Sequence, residues 1–486
     1  MNKAEDSQAN EGLNVKQLQI PNGSALWRKP PVSATGKRKE NERWIILKLR
    51  KCMQTIDAIL SAGNLTQACR QVMLNKGAAG VDAMNVKELK PYLDKNRNEI
   101  TELIRKGEYY PQPIRGKEIP KSNNKKRLLG IPTVVDRMLQ QAVVRIIMPQ
   151  YEYMFSEYSY GFRPGRNTHQ AIQKSLDYIN SGYQHIVDID LKGFFDEVDH
   201  CLLLQILYRR IKCRETMRLI RRWLRVPILL EGKLVKRRKG VPQGSPLSPL
   251  LSNIMLHELD MEMERRKLRF VRYADDFSIY CKTNNEARKT GNSIFLFLRD
   301  KLKLPINREK SGIRRPLTFN ILGYGFVSTY QKGVKGKYQL VVEEKRWKSF
   351  KTKLKEITRK TSPMSFDQRM QKLKEVHRGW INYFKFASIY NKLNELDGWL
   401  RNRIRYCIWT DWKKPERKRK NLIRLGVDLD HAYQWSRSRK GGWAIAQSPI
   451  LNTTITIARL TQRGYEPLLT HYYKVSPQYQ SSPLFS

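Results

Sequence analysis

Asp275 and Asp276 stand side by side between two apolar, strand-forming flanks, Arg269-Phe270-Val271-Arg272 and Phe277-Ser278-Ile279-Tyr280. That alternation predicts a β-hairpin with an acidic tip. Adjacent carboxylates repel, so a tight turn keeps both most readily where a cation joins them. Two hard Mg²⁺ ions suit such oxygen donors. Paired ions of this kind, about 4 Å apart, clamp the attacking and leaving oxygens of a phosphoryl transfer. Taken alone, the pair fits a solvated acidic turn equally well. A second acidic segment lies upstream, Ile186-Val187-Asp188-Ile189-Asp190-Leu191-Lys192-Gly193-Phe194-Phe195-Asp196. Asp188 and Asp190 are two apart and therefore share one face of a strand.

The elements that must position these groups are legible in outline. Residues 183–200 and 268–282 carry the clearest strand patterns. Between them lie a helical stretch and the turn-rich Gly240-Val241-Pro242-Gln243-Gly244-Ser245-Pro246. Residues 65–180 alternate helix-like stretches with a Pro- and Gly-rich section, Tyr109 to Pro132. This mixture predicts an α/β or α+β layer and not an all-helical fold. A helical pattern starts near Trp44, and residues 1–43, polar and interrupted by Pro21, Pro30 and Pro31, read as a flexible extension.

The charge is the second large signal. Lys and Arg number 92 against 45 Asp and Glu, a formal net charge of +47. So large an excess repels itself unless a polyanion is the normal partner. Each neutralised phosphate releases counterions and adds affinity. The excess peaks in residues 345–424, which hold 24 Lys or Arg against 7 Asp or Glu, with twelve Trp, Tyr or Phe interleaved. Apolar residues recur there at helical spacing, which predicts a small helical module with aromatics in its core. Its surface is too one-signed to be merely soluble. Lys413-Lys414 and Arg417-Lys418-Arg419-Lys420 add a cluster suited to phosphate.

Other classes are set aside by composition. Residues 1–10 carry acids and no apolar run, so no signal peptide is expected. The longest uncharged run, 441–458, holds Gln447, Ser448, Pro449 and Asn452 and makes a poor membrane span. Six cysteines are scattered without a Cys-x-x-Cys pair, which argues against a disulfide framework or structural zinc. A cytoplasmic setting is expected.

Asp190 followed five residues later by Phe195 resembles the catalytic strand of reverse transcriptases, and Tyr273-Ala274-Asp275-Asp276 resembles their Tyr-x-Asp-Asp hairpin. The likeness covers roughly residues 65–440 and is closest to group II intron-encoded reverse transcriptases, or maturases, of bacterial type. Asn75-Lys76-Gly77-Ala78-Ala79-Gly80-Val81-Asp82 resembles that family's opening motif, and Tyr160-Gly161-Phe162-Arg163-Pro164-Gly165-Arg166 its finger segment. Gly240 to Pro249 matches its Pro-Gln-Gly motif. Leu304 to Ser311 and Leu322-Gly323-Tyr324-Gly325-Phe326 resemble the closing palm motif and the primer grip. Arg378-Gly379-Trp380-Ile381-Asn382-Tyr383-Phe384 resembles the signature of the maturase thumb, domain X.

The resemblance implies a right-hand polymerase: α+β fingers and palm over 44–340, a helical thumb over 341–425, and a C-terminal region, 426–486, read as a reduced DNA-binding segment. It implies that Asp190, Asp275, Asp276 and the Leu191 carbonyl hold two Mg²⁺, with Mn²⁺ able to substitute. Asp188 is read as support for the strand. Arg115, Lys121 and Arg127 would grip the triphosphate, Phe195 or Phe194 would select deoxynucleotides, and Gln243 would touch the incoming nucleotide. The usual glycines between Lys121 and Arg127 are replaced by Ser122-Asn123-Asn124-Lys125-Lys126, so Lys126 is an alternative to Arg127. Arg163, Arg166, Lys310, Gly323, Tyr324, Arg378, Lys413 and Lys414 are expected contacts to RNA or primer. After residue 420 only His431 and His471 remain and no cysteine, so no His-Asn-His endonuclease domain is expected. The implied function is RNA-directed DNA synthesis together with splicing of a group II intron RNA. Partners would be template RNA, a DNA primer, deoxynucleoside triphosphates and target DNA, with no membrane. The alternatives are a related defence or CRISPR-linked reverse transcriptase and a splicing factor with a vestigial polymerase.

Overall fold

The computed structural model describes residues 55–120, 126–329 and 336–477, grouped in two compact units. The first comprises residues 55–175 with 185–313, the second 176–184 with the rest from 314.

The first unit begins with helices α1 (Thr55–Leu60), α2 (Ala62–Leu74) and α3 (Leu89–Lys106), then strands β1 (Ile114–Pro120) and β2 (Lys126–Ile131). Helix α4 (Val134–Glu152) starts where the Thr133 hydroxyl accepts the Asp136 amide, and α5 (Thr168–Asn180) leads to β3 (His185–Ile189). There follow α6 (Phe194–Glu197), α7 (His200–Tyr208), α8 (Arg214–Arg225), β4 (Ile228–Leu230) and β5 (Lys233–Val235). Helix α9 (Ser248–Arg265), β6 (Arg269–Tyr273), β7 (Asp276–Cys281), α10 (Asn284–Asp300) and β8 (Gly312–Arg314) complete it. Two four-stranded sheets result, ordered β2-β1-β4-β5 and β6-β7-β3-β8. The β6-β7-β3-β8 sheet shares its core with α4 and α9, with Leu139, Met255, Phe270 and Ile279 buried, while the β2-β1-β4-β5 sheet has a small cluster of its own, Ile114, Val226 and Ile228. Helix α9 is buried on every side from Leu250 to His257, its polar Ser252, Asn253 and His257 included.

The second unit holds a three-stranded antiparallel sheet of β9 (Asn320–Ile321), β10 (Tyr324–Ser328) and β11 (Tyr338–Val342), in the order β11-β10-β9. Helices α11 (Glu344–Ile357), α12 (Phe366–Phe384), α13 (Tyr390–Asp411) and α14 (Pro415–Arg424) follow. Five short helices end it: α15 (Leu429–Ser436), α16 (Gly442–Gln447), α17 (Pro449–Thr454), α18 (Ile457–Gln462) and α19 (Leu468–Val475). A capping box, Ser365 with Gln368, fixes the start of α12. Aromatic packing supplies much of the core: Phe350 stacks on Trp380 at 4.3 Å, and Trp347 lies 4.6 Å from the same ring.

The expected division at 340 differs from the break found at 313–314. Strand β10 pairs with β11, and the Tyr324 hydroxyl donates to the Tyr383 carbonyl of α12, so residues 320–342 pack with the helices that follow them. The expected thumb and C-terminal region share that unit, joined by Arg378, which donates to Glu466 at 2.6 and 2.7 Å. The expected extension, residues 1–43, lies outside the described residues.

Candidate active site

The predicted hairpin is present. Strands β6 and β7 pair antiparallel from Arg269↔Tyr280 to Tyr273↔Asp276, leaving Ala274-Asp275 as a two-residue loop. Ala274 sits at φ +58°, a region that favours glycine. The loop is held there from beneath. The Arg272 guanidinium, fully buried, donates to the Ala274 carbonyl at 2.9 Å and to Asn253 Oδ1 at 3.0 Å, and it pairs with the buried Asp260 at 2.5–2.7 Å. Asn253 in turn donates to the Gly161 carbonyl at 2.9 Å. Residues 158–160 run beside β6, with Tyr160 N–H donating to the Arg272 carbonyl and Arg272 N–H to the Tyr158 carbonyl, both at 2.9 Å. A Cβ on Gly161 would fall 2.3 Å from the Ala274 nitrogen, so only glycine lets these backbones meet.

The second acidic segment arrives on β3. Its register with β7 runs from His185↔Cys281 to Ile189↔Phe277, with Asp188 opposite Ser278. One further step along that register sets Asp190 beside Asp276. Asp190 is fixed by the segment after α10. Its N–H donates to Ser311 Oγ at 3.0 Å, its carbonyl accepts from Asn307 N–H at 2.8 Å, and its carboxylate accepts from Asn307 Nδ2 at 3.0 Å. Lys310 Nζ stands 3.6 Å from the same carboxylate oxygen.

The electrostatics are those of crowded acids. Removal from water raises the Asp275 carboxyl, and the nearby Asp190 adds to this while Arg127 and Arg272 pull it down. Asp276 remains exposed on its outer side. Even so, partial loss of water, then the like charges of Asp275, Asp190 and Asp188, push it up to about 7, against some relief from Lys310. Among the described residues no three acidic, His or Cys groups already converge on a metal geometry. The donor set nonetheless fits hard divalent cations: carboxylate oxygens only, at a turn whose negative charge is incompletely balanced. The Leu191 side chain is buried, which leaves its backbone as the group available to such a site.

Around the acids, the turn at 240–244 packs on the stretch after β3. Val241 N–H donates to the Phe195 carbonyl at 2.7 Å, and a Cβ on Gly240 would lie 2.6 Å from that oxygen. Gln243 is half-buried, and its carbonyl accepts Gly130 N–H of β2 at 2.7 Å. Phe195 is half-buried beside Phe194, ring centroids 5.3 Å apart. Phe194 itself is 2% exposed, so it belongs to the core and cannot be the nucleotide contact.

On the β1–β2 hairpin, Arg115 pairs with Ile131 and Ile119 with Arg127, which puts both arginines on one face. Lys126 takes the other face and pairs with Glu118 at 2.5 Å. The alternation therefore favours Arg127 over Lys126. Lys121 lies outside the described residues.

Several expected RNA contacts are spent inside the protein. Arg163 is buried and donates to the Glu152 carboxylate at 2.9–3.2 Å and to the Ser156 and Ser159 carbonyls, a brace and not a template contact. Tyr324 is fully buried in the second unit. Gly323, at φ +84°, turns the chain between β9 and β10. Arg378 is committed to Glu466. Lys310 belongs with Asp190. Arg166 is half-buried, donates to the Glu157 carbonyl at 3.3 Å and lies 5.8 Å from the Tyr160 ring. Lys413 and Lys414 are exposed at the start of α14, as a phosphate contact requires.

Sequence reasoning missed the Arg272–Asp260–Asn253 brace and the grip of Asn307 and Ser311 on Asp190. The first left a signal, an arginine inside an apolar strand, which demands a buried acid elsewhere. The second left none short of a fold.

Comparisons with known proteins bear on the family. Residues 119–326 match the family described as reverse transcriptase (RNA-dependent DNA polymerase), and residues 347–426 match the group II intron, maturase-specific domain. The group II intron-encoded protein LtrA of Lactococcus lactis subsp. cremoris is 38% identical over 199 residues, 40% of this chain. That match spans 33% of the length of LtrA. Protein YkfC of Escherichia coli K12 is 32% identical over 289 residues, 51% of this chain and 76% of that protein. A solved structure, a partial Cas6-RT-Cas1–Cas2 complex, shares 25% identity over 51% of this chain and 43% of its own, with a TM-score of 0.34.

Proposed function

The chain belongs to the group II intron-encoded reverse transcriptase and maturase family, and on that premise we propose that it copies RNA into DNA and binds the intron RNA that it helps to splice and mobilise. The observation that supports this most directly is that the β3–β7 register carries Asp190 to the end of the sheet where Asp275 and Asp276 form the β6–β7 turn, near enough for their charges to interact. Asp190, Asp275, Asp276 and the Leu191 carbonyl would hold two Mg²⁺. When bound, these ions lower the cost of forming a 3′-alkoxide nucleophile and of releasing pyrophosphate.

The chain's own groups do the positioning. Asn307 and Ser311 hold Asp190 at the strand end. Arg115 and Arg127 present two guanidiniums to the triphosphate, bonds of the strong charge-assisted kind. The half-buried Phe195 ring lies under the sugar, where a ribose 2′-hydroxyl would collide with it. Gln243 offers its amide from a turn that glycine and proline hold rigid. The basic surface of the second unit, with Lys413 and Lys414, takes the RNA backbone. Among the described residues no helix is long and apolar enough to cross a membrane, and Cys69, Cys201, Cys213, Cys281 and Cys407 are free thiols, in keeping with work on RNA in the cytoplasm.

The test is extension of a DNA primer on an RNA template with deoxynucleoside triphosphates and Mg²⁺, beside binding of the intron RNA. Extension with binding that weakens steeply as salt rises is expected, since many phosphates are contacted. Binding without any extension would instead identify a splicing factor with a vestigial polymerase.

The two faces of the finger hairpin give a sharper check. Arg127→Gln should raise KM for deoxynucleoside triphosphates by roughly tenfold or more, the scale of a lost charged hydrogen bond. Lys126→Gln should change it by less than about twofold, the scale of an exposed ion pair. Steady-state kinetics that show the larger loss at Lys126 would reverse the assignment.

A further inference from the structure

Among the second unit's aromatics, Trp347, Phe350, Phe384 and Trp409 are buried. Of the tryptophans that are not, two face one cleft. Trp399 of α13 is half-buried, and Trp443 at the start of α16 is 36% exposed. Both line an open cleft of about 660 Å³ whose remaining lining is Lys348, Lys351, Thr352 and Lys355 of α11, and Arg403 of α13. No acid is among the lining residues. The volume lies within the roughly 300–1,000 Å³ typical of ligand pockets.

The cleft follows from helix periodicity. Residues 348, 351, 352 and 355 fall on one stripe of α11, opposite the buried Phe350, Leu354 and Ile357. Trp399 and Arg403 are four apart on α13 and share a face. Arg403 is immobilised: its Nε donates to Thr358 Oγ1 at 3.2 Å and its Nη2 to the Thr358 carbonyl at 2.6 Å. It lies 6.0 Å from the Trp399 ring and 5.8 Å from that of Trp443, and Lys351 Nζ stands 5.2 Å from Trp399. Gly442 brings Trp443 in close, since a Cβ there would sit 3.1 Å from the Tyr406 ring. The Trp443 ring meets Tyr406 edge to face at 5.9 Å.

Partly exposed indoles framed by four cations are a poor design for solubility alone. A duplex offers phosphates but hides its base faces, whereas an unpaired nucleotide offers both. An acidic peptide would use the cations and leave the indoles idle. We propose that this cleft binds an unpaired nucleotide of RNA, its base stacked on Trp443 or Trp399 and its flanking phosphates held by Lys348, Lys351, Lys355 and Arg403. The proposal rests on the reading of this chain as an RNA-binding polymerase, and gives the second unit a recognition element for a loop or bulge.

The test uses the full chain and a short fluorescein-labelled oligoadenylate, with DNA of the same sequence, an RNA duplex and polyglutamate as the other arms. Trp443→Ala should weaken single-stranded RNA binding by roughly tenfold, the scale of one lost stack. The slope of log affinity against log salt should not change. Trp443→Phe should restore most of the loss, and both variants should melt like the wild type. Lys351→Gln with Lys355→Gln should instead flatten that slope by about 1.4, two single-strand phosphate contacts. Wild-type affinity in Trp443→Ala, or an equal loss on duplex RNA, would overturn the proposal. So would displacement of the oligonucleotide by polyglutamate, and an equal loss on DNA would overturn the assignment to RNA. Failure of the wild type to extend a primer would undo the polymerase reading and leave this result standing.

Discussion

Asp276→Asn should abolish RNA-templated primer extension, by roughly a thousandfold or more, the equivalent of about 4 kcal/mol of transition-state stabilisation. Asp275→Asn should do the same, because each carboxylate supplies a separate share of one cation site. Intron RNA binding should survive both, since the basic surface lies elsewhere in the chain. The Asp276 variant carries a second signature that a merely misfolded protein would not show. Without divalent cations the folded state raises the Asp276 carboxyl to about 7, through lost hydration and the like charges of Asp275, Asp190 and Asp188. The unfolded chain titrates near the ordinary value of about 3.9. The folded protein therefore binds the proton more tightly than the unfolded one, and this contribution to stability is complete below about pH 4 and lost as pH rises through about 7. At pH 8 the wild type keeps a strained carboxylate that asparagine lacks. Metal-free Asp276→Asn should melt above the wild type at pH 8, with the difference shrinking as pH falls toward about 4. Mg²⁺ should raise the melting temperature of the wild type more than that of the variant. Undiminished extension by either asparagine variant would sink the assignment. A metal-free variant melting below the wild type at pH 8 would contradict the charge crowding.

Arg272→Met should be the most damaging change outside the acids. It leaves Asp260 buried without its partner, a loss of about 3–5 kcal/mol that differential scanning calorimetry would register. It also removes the donor that holds the Ala274 carbonyl. The double variant Arg272→Met with Asp260→Leu separates these effects. Stability should largely return, because apolar replacement of both members of a buried pair is close to neutral. Activity should not, because nothing then braces the strained loop, and a misplacement of about 1 Å at a reacting group costs roughly a hundredfold. The deficit should fall on kcat. If the double variant recovered full kcat, the ion pair would serve folding alone.

The acidic hairpin was legible because its signals are local. The apolar runs at Phe270-Val271 and Phe277 to Tyr280 marked two strands, and two acids stood at the tip between them. Helical periodicity made Trp347, Phe350, Phe384 and Trp409 legible as core, but the other thumb aromatics are half-buried or, like Tyr390, exposed. Arg163 and Tyr324 were misjudged for a shared physical cause. A guanidinium or phenol looks the same in sequence whether it faces phosphate or a partner inside the protein, and here Glu152 and Tyr383 had taken them. Phe194 and Phe195 show the limit at its narrowest. Consecutive residues on one helical turn point to different sides, and only packing shows which one the core takes.

The sequence by itself determined the family, since its motifs are a matter of residue type and order, and it pointed to three carboxylates, an aromatic and a glutamine for the site and, through net charge, to a polyanionic partner. Tertiary structure alone decided what holds those groups in place. The register of β3 on β7, the grip of Asn307 and Ser311 on Asp190, and the brace from Asp260 through Arg272 to Ala274 join residues 12 to 121 positions apart. Tertiary structure also set the opposite faces of Arg127 and Lys126 on the β1–β2 hairpin and the meeting of Trp399 with Trp443 at one cleft. Such pairings depend on which surfaces the folded backbone brings together, and no local pattern of residues encodes them.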